Sequence, residues 1–555
     1  MSSESRTSPA MGRMKLTLIM VGLCLAVLLT GMDQTIMATA GPTISNEFHS
    51  LEDIAWWTNI YLLTLSSFQL FYGKLYTLFS IKLIYTSAIV IFEIGSLICT
   101  TAPNSIALIF GRAIAGFGAS GIFSGGLLII SKIIPLDRRP VYLGIMSAVF
   151  GIAAIAGPFI GGALTEKATW RWCFGINLPI GACTILICAF LVQTPREYSM
   201  SRLSPKQKLA QFDFPGTVLM VTGLICLLLG LQWGGTVYSW SNGRVVALLV
   251  LSGVLLATFV ASQHWNFFSQ ANTIPESISK SRDIWLAASY AMGVTGGIYV
   301  IMLYLPFWFQ VVRNKSSLSS GVLLTPTIGA YVVGSVVAGA ATTATTYYNP
   351  AMILGAILLI SGAAVLTTLD PSTSMANIVG YELLYGFGAG FGFGQPTYIV
   401  QTLLPESDVA IGITFITLVQ NLSAATFVAI AQSVFQNRLV NNFASIIGAD
   451  DSAGFLESGA ADLLNSLPPP ERSAAVHAAS GALVQTFYVS LAVASTTVVG
   501  AIGVRWQTMK TPDPIADRSD DIGAKVDEDV AAAAEEKSNT TNSQPLELLE
   551  KVQVL

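Results

Sequence analysis

A lipid bilayer admits few backbone designs. Every peptide N–H and C=O inside the hydrocarbon must be bonded within the protein, so a spanning segment is a helix or a strand of a closed barrel. This chain repeats the one feature that forces the helical answer: apolar runs of about 20 residues with short polar links between them. The first covers residues 15–39. Others follow at 54–73, 83–101, 105–130, 141–164, 174–193, 214–233, 245–264, 285–309, 321–341, 349–369, 377–398, 410–434 and 481–503, which makes fourteen. An even number places both termini on one side. A cleaved signal peptide does not fit the first run, which is too long and is interrupted by Asp33 and Gln34.

Only 11% of the residues are charged, against roughly 25% in soluble domains, so the positions of the charges report topology. With the N-terminus inside, 20 of the 28 Lys and Arg residues fall on inner segments, 7 on outer loops, and 1, Arg112, within a span. That bias puts both termini in the cytoplasm. The expected organisation is a cytoplasmic tail at 1–15, a six-helix bundle at 16–194, a linker with two extra spans at 195–283, a second six-helix bundle at 284–504 with an outer loop at 436–480, and a tail at 505–555. Eleven of the 32 acids lie between Asp513 and Glu550 in that tail. It has no apolar periodicity and reads as disordered and cytoplasmic. Of three Asn-x-Ser/Thr sequons, at Asn314, Asn421 and Asn539, this topology exposes only Asn314 to glycosylation.

An internal repeat supports the two halves. Displacing the fourth span by 270 residues lays Arg112–Pro135 on Glu382–Pro405, with seven identities in 24 positions. They include Gly116-Phe117-Gly118-Ala119 on Gly386-Phe387-Gly388-Ala389, Phe123 on Phe393, and Pro135 on Pro405. Both spans run in the same sense, so the halves are related about the membrane normal, and a substrate site is expected near mid-membrane between them.

Charges inside spans are expensive and each needs a reason. Asp33 lies near the outer end of the first span; it is either a boundary carboxylate reaching water or a proton-binding acid lining a cavity. Arg112 needs a carboxylate or carbonyl partner, either as a fixed structural pair or as a competitor for the proton of Asp33. Glu382 occupies the repeat position of Arg112 and either faces the same cavity from the other half or sits at a helix mouth. Glu93 has no such symmetry, and structural pairing is its better reading. Tyr299, Tyr385, Gln395 and Asn421 would line an aromatic, amide-bearing cavity suited to a bulky amphipathic ligand; several aromatic residues must instead face lipid. No phosphate-binding Gly-x-x-x-x-Gly-Lys-Ser/Thr loop occurs, and no metal-ligand spacing or nucleophile–base pair, so neither a nucleotide-driven pump nor an enzyme is expected. No cofactor is expected beyond a proton gradient.

The fifth span carries Gly151, Gly157, Pro158, Gly161 and Gly162 within Gly151–Leu164. Small residues let helix backbones approach closely, and proline is tolerated where neighbours satisfy the freed carbonyl. Gly151, Ile155, Pro158 and Gly162 fall at helical spacing and are expected to form one smooth face. The second inner loop, Gly73 to Lys82 with Lys74, is a short basic loop able to latch against a helix end.

These stretches together resemble the fourteen-span drug:proton antiporter branch of the major facilitator superfamily, in its fungal secondary-metabolite and toxin efflux group. Met32-Asp33-Gln34-Thr35-Ile36 resembles that branch's first-helix motif, Gly73–Lys82 its loop 2–3 motif, Arg112–Gly118 its fourth-helix proton-linked motif, and Gly151–Leu164 its antiporter motif. Trp170–Phe174 with Ile176–Gly181 resembles the start of its sixth helix. Loop 2–3 departs from the family form: Thr77 stands where aspartate is usual, Leu78 where arginine is usual and Ser80 where glycine is usual. The resemblance implies an all-α major facilitator fold of two six-helix bundles plus two extra helices. It also implies proton-coupled export of a small organic molecule by alternating access, with Asp33 and Arg112 in proton coupling. A monomer in the plasma membrane is expected, with a vacuolar or vesicular membrane as the alternative, and no nucleic-acid partner. The rival readings are an importer of an iron chelate or basic amino acid on the same fold, and a membrane sensor that transports nothing.

Overall fold

The computed structural model describes residues 13–49, 53–192, 212–235, 238–265, 272–447 and 469–509. Residues 1–12, most of the tail after Thr508, the segment 193–211 and the centre of the expected outer loop, 448–468, lie outside the described residues, as does Asn539. Among the described residues the fold is all helix, with two isolated bridges, Gly234–Tyr238 and Tyr347–Thr508.

The helices of the first half are α1 (Arg13–Thr35), α2 (Met37–Phe48), α3 (Ile54–Ser67), α4 (Gln69–Leu78), α5 (Ile81–Thr100), α6 (Ser105–Ile133), α7 (Arg139–Lys167), α8 (Trp172–Gly175) and α9 (Asn177–Leu191). Next come the inserted pair α10 (Phe214–Trp233) and α11 (Gly243–Trp265), then the short α12 (Glu276–Ser279). The second half has α13 (Arg282–Arg313), α14 (Ser317–Leu323), α15 (Thr325–Thr345), α16 (Asn349–Leu366), α17 (Met375–Phe393), α18 (Gln395–Leu403), α19 (Val409–Ile447), α20 (Pro469–Ser495) and α21 (Thr497–Gly503). Among the described residues, twelve segments are long and apolar enough to cross a membrane. The other two expected spans are 54–73, broken between α3 and α4 at Phe68, and 377–398, which is the 19-residue α17 with a break near its end, at Gly394 before α18. Pro396 explains the second break, because proline has no N–H to continue the ladder. The exterior is apolar: Phe190 is 75% and Ile502 is 73% exposed, a surface suited to lipid and not to water.

The repeat is legible in atomic detail. The Asn104 side chain caps α6 by accepting from Ala107 N at 2.9 Å, and Ser374, 270 residues on, caps α17 by accepting from Asn377 N at 3.3 Å. A Cβ on Gly116 would lie 2.4 Å from Tyr61 O of α3, and one on Gly386 would lie 2.2 Å from Thr327 O of α15. Gly118 lets α6 approach Phe92 N of α5, and Gly388 lets α17 approach Leu359 N of α16. At the far ends, Arg138 N donates to Pro135 O at 3.0 Å and Asp408 N donates to Pro405 O at 2.9 Å.

The two halves meet mainly along α7 and α15, and along α4 and α19. Gly144 of α7 faces Ser335 O, and Gly339 of α15 faces Pro140 O; a Cβ there would lie 2.6 and 2.4 Å from those oxygens. Tyr398 OH donates to Pro140 O at 3.1 Å, and Lys132 pairs with Glu406 at 3.5 Å. α10 and α11 pack on each other through Gly223 and Gly230, and Trp56 of α3 meets Trp233 of α10 edge-on with ring centroids 5.9 Å apart.

One boundary differs from expectation. Helix extends through 436–447 and again from 469, so only 448–468 of the expected 436–480 loop is left undescribed. α19, with 39 residues, is about 58 Å long, nearly twice the ~30 Å hydrocarbon core, so it projects beyond its apolar run.

Candidate functional site

Asp33 and Arg112 form a buried ion pair, with side chains 1% and 0% exposed. Arg112 Nη1 donates to Asp33 Oδ2 at 2.5 Å, Nη2 to Asp33 O at 3.3 Å and Nε to Trp57 O at 2.9 Å. The guanidinium lies 4.3 Å from the Tyr61 ring centroid and 5.8 Å from that of Phe174. Asn177 Nδ2 bridges Asp33 Oδ1 at 3.4 Å and Ser96 Oγ at 3.1 Å. Six elements therefore converge: α1, α3, α5, α6, α8 and α9. A buried pair is tolerable only when its remaining hydrogen-bonding capacity is met, and these neighbours meet it. Asp33 is not a water-facing boundary acid. Glu93, on α5, has both carboxyl oxygens buried without a hydrogen bond and packs against Gly181 of α9, where a Cβ would lie 1.8 Å from Oε1. It is not in an ion pair among the described residues.

Next to this pair along α1 lies a cleft between the halves; the room left in it is about 40 Å³, so in this conformation it is nearly closed. Thr30 and Gln34, neighbours of Asp33 on α1, line it. So do Gln69 of α4, Phe123 of α6 and Phe150 of α7. From the second half come Thr295 and Tyr299 of α13, Phe393 of α17, and Thr417, Gln420 and Asn421 of α19. Tyr61 OH donates to Thr30 O at 3.4 Å, so Tyr61 joins the cleft wall to the ion pair behind it. The aromatic rings form a ladder across the seam. Phe123 and Phe150 have centroids 5.8 Å apart, Phe150 and Phe393 stack at 6.5 Å and 15°, and Tyr331 meets Phe393 edge-on at 5.7 Å.

Of the expected cavity residues, Tyr299 and Asn421 line the cleft, while Glu382, Tyr385 and Gln395 are not among its lining residues. Glu382 is fully buried beside Thr327. Tyr385 OH shares a 3.0 Å hydrogen bond with Ser490 Oγ between α17 and α20, and Gln395 Nε2 donates to Phe391 O at 3.1 Å. Gln69 and Phe150 were not singled out by sequence reading. A lone glutamine inside the apolar run 54–73 was the signal available for the first; one phenylalanine among 28 gave none for the second.

The antiporter-motif glycines do not share one smooth face. A Cβ on Gly157 would lie 2.0 Å from Thr35 Oγ1, and one on Gly161 2.5 Å from Thr39 Oγ1, so both serve the contact of α7 with α1 and α2. Gly151 instead meets Tyr331 across the seam, and Gly162 has nothing within 4 Å of such a Cβ. Pro158 sits inside an unbroken α7, partly buried. Residues 151, 155, 158 and 162 fall on a helical line, but the packed line runs through 144, 151, 157 and 161, because α7 turns from the second half to α1 along its length.

In the loop 2–3 stretch, Gly73 lies within α4 against Thr414 of α19. Lys74, 8% exposed, donates to Asn272 O at 2.8 Å, in the segment leading to α12. That segment is tied on three sides. Thr273 Oγ1 and Gln263 Nε2 both donate to Asp213 Oδ2 at the start of α10, at 3.0 and 2.6 Å, and Ser277 Oγ donates to Asp408 Oδ2 at 2.5 Å before α19. Lys82 is half-buried near the start of α5. Asn314 is exposed in the left-handed position that ends α13.

Residues 23–428 match the family model described as Major Facilitator Superfamily. The MFS thioclapurine efflux transporter tcpA of Claviceps purpurea (strain 20.1) is 44% identical over 506 residues, spanning 91% of this chain and 93% of its own. Efflux pump roqT of Penicillium rubens is 41% identical over 92% of this chain and 94% of its own. Efflux pump aflT of Aspergillus parasiticus is 40% identical over 90% and 96%. Among solved structures, the proton:xylose symporter XylE superposes with a TM-score of 0.59 at 12% identity, covering 90% of this chain and 98% of that one; the likeness is one of fold.

Proposed function

The chain belongs to the Major Facilitator Superfamily, a multi-pass membrane transporter and not an enzyme, and from that premise we propose that it exports a small amphipathic secondary metabolite, toxin or drug across the plasma membrane in exchange for protons. The observation that carries this reading is the Asp33–Arg112 pair, whose acid shares α1 with two residues of a cleft between the halves and whose neighbour Tyr61 bonds to one of them. Relatives whose names give them as efflux pumps, aligned over nine-tenths of the chain, favour export over import.

We read the helices as fourteen spans, counting the broken pairs α3–α4 and α17–α18, with both termini cytoplasmic by the distribution of Lys and Arg. In that orientation Lys74–Asn272, Lys132–Glu406, Tyr398–Pro140 and the Gly144–Ser335 approach all lie at the cytoplasmic end. The halves are therefore closed toward the cytoplasm in this conformation. Proton uptake by Asp33 removes its charge and loosens its hold on Arg112, changing how α1 and α6 meet. Release of the proton to the other side restores the pair. The chain acts as a monomer, with Asn314 glycosylated on the outer face.

The test uses vesicles of known orientation and the neutral fluorescent amphiphile Nile red. Acidifying the outer side should drive the dye outward against its gradient, and a protonophore should abolish the movement. Gradient-driven inward movement would instead identify an importer, and dye binding without flux a sensor.

A further inference from the structure

Among the described residues that line the cleft there is no carboxylate, ammonium or guanidinium group. Its polar groups are carboxamides and hydroxyls, and three of them are unmet: Gln69 Nε2, Asn421 Nδ2 and Thr295 Oγ1 are buried with no hydrogen-bond partner. Gln69 and Thr295 are 1% and 2% exposed. Buried N–H donors without acceptors are unfavourable and call for an explanation. Here the two amide donors come from opposite halves, α4 and α19, and border one space.

The apolar part of the wall has a definite shape. Phe123 and Phe393 occupy equivalent positions of the repeat and flank Phe150, whose ring is nearly parallel to that of Phe393. A flat π-system fits such a wall by offset stacking. The charges nearest the cleft, Asp33 and Arg112, are spent on each other, and Glu382 is not among the lining residues. A charged ligand would lose its hydration without gaining a counter-ion.

We propose that the cleft selects an uncharged, planar aromatic compound by its carbonyl oxygens, with Gln69 and Asn421 donating and Phe150 and Phe393 supporting the ring. The proposal rests on the reading of this cleft as the transported substrate's site.

The test is equilibrium binding to the full chain in nanodiscs, corrected by empty nanodiscs, with four probes of one shape: 9,10-anthraquinone, anthracene, anthraquinone-2-sulfonate and N-methylacridinium. Anthraquinone should bind at least tenfold tighter than each of the others. Gln69→Leu and Asn421→Leu should each weaken anthraquinone about tenfold, the size of one neutral hydrogen bond, and leave anthracene unchanged. Gln69→Met and Asn421→Ala remove the donor without adding branched bulk; they should give the same loss and serve if the leucine variants fail to fold. Equal binding of anthracene and anthraquinone, tighter binding of either ion, or unchanged anthraquinone affinity in the folded variants would overturn the proposal. Nile red flux separates the two claims. Proton-driven flux with no preference among the probes leaves export standing and removes the specificity; the predicted preference without flux removes export and leaves the specificity.

Discussion

Two glycines at the seam between the halves allow a prediction whose size follows from the coordinates. A methyl group on Gly144 would lie 2.6 Å from Ser335 O, and one on Gly339 would lie 2.4 Å from Pro140 O, where ordinary contact begins at 3.4 Å. Both obstructing atoms are backbone carbonyls on the opposite half, so neither can rotate away. Gly144→Ala and Gly339→Ala must therefore push α7 and α15 apart by about 0.8 and 1.0 Å, the differences between 3.4 Å and the two distances. Overpacking of this kind costs about 1–3 kcal/mol. The cost falls only on the conformation in which this end of the seam is closed. The equilibrium should accordingly move toward the open arrangement by roughly 5–150-fold. Spin labels on cysteines placed at Asp137 and Tyr347, beside the starts and ends of the same two helices, report the separation by electron–electron resonance in a background without the native cysteines. The alanine variants should populate a longer distance with little loss of unfolding temperature. Gly118→Ala is the control: it obstructs Phe92 N at 2.5 Å inside one half, so it should lower the unfolding temperature without adding the long distance. An unchanged distance distribution in well-folded Gly144→Ala and Gly339→Ala would refute the reasoning.

Three further outcomes are expected. Lys74→Met removes the hydrogen bond to Asn272 O and should increase hydrogen exchange in residues 272–281, while Lys82→Met, whose side chain is half-buried elsewhere, should not. Arg112→Met leaves Asp33 with one long bond from Asn177 and should destabilise the chain by about 3–5 kcal/mol, read as a fall in unfolding temperature; Asp33→Asn should destabilise it less, because Arg112 keeps Trp57 O, the residue-33 carbonyl and the Tyr61 ring. Between α2 and α8, the Trp170 indole N–H donates to Glu47 Oε2 at 2.6 Å and, with Arg171, holds that carboxyl below the ordinary glutamate range. Its stabilising effect is then full above the unfolded glutamate value near ~4.3 and lost as pH falls through the lower folded value, so Glu47→Gln should flatten the acid limb of stability against pH.

The parts of this molecule that depend on periodic constraint were legible in the sequence. Apolar run length marked the twelve helices that are long and apolar enough to cross a membrane among the described residues, and the 270-residue repeat extended further than its identities: Asn104 and Ser374 share no side chain, yet each caps its helix in the same way. The Asp33–Arg112 pair was legible because a lone charge in a span has few affordable partners. The cleft was only half legible. Tyr299 and Asn421 line it, whereas Glu382, at the repeat position of Arg112, is buried beside Thr327 and Tyr385 is turned to Ser490. The repeat relates backbones, not the side chains facing the seam, and a helix such as α17, whose exposed residues include the apolar Leu383, gives no polar stripe from which to read direction. The same limit explains α7. Its glycines serve two different partners at different heights, which linear spacing cannot distinguish. The role of the segment before α12 in holding Lys74 had no signal, because its partner is a backbone carbonyl.

The central claim is that Asp33 carries the coupling proton, and proteoliposomes loaded with a pH-sensitive dye test it most directly. With a pH gradient imposed, addition of Nile red should collapse the gradient in vesicles holding the unaltered chain. In vesicles holding Asp33→Asn of comparable unfolding temperature, the gradient should persist. Collapse of the gradient at the original rate in that variant would contradict the account.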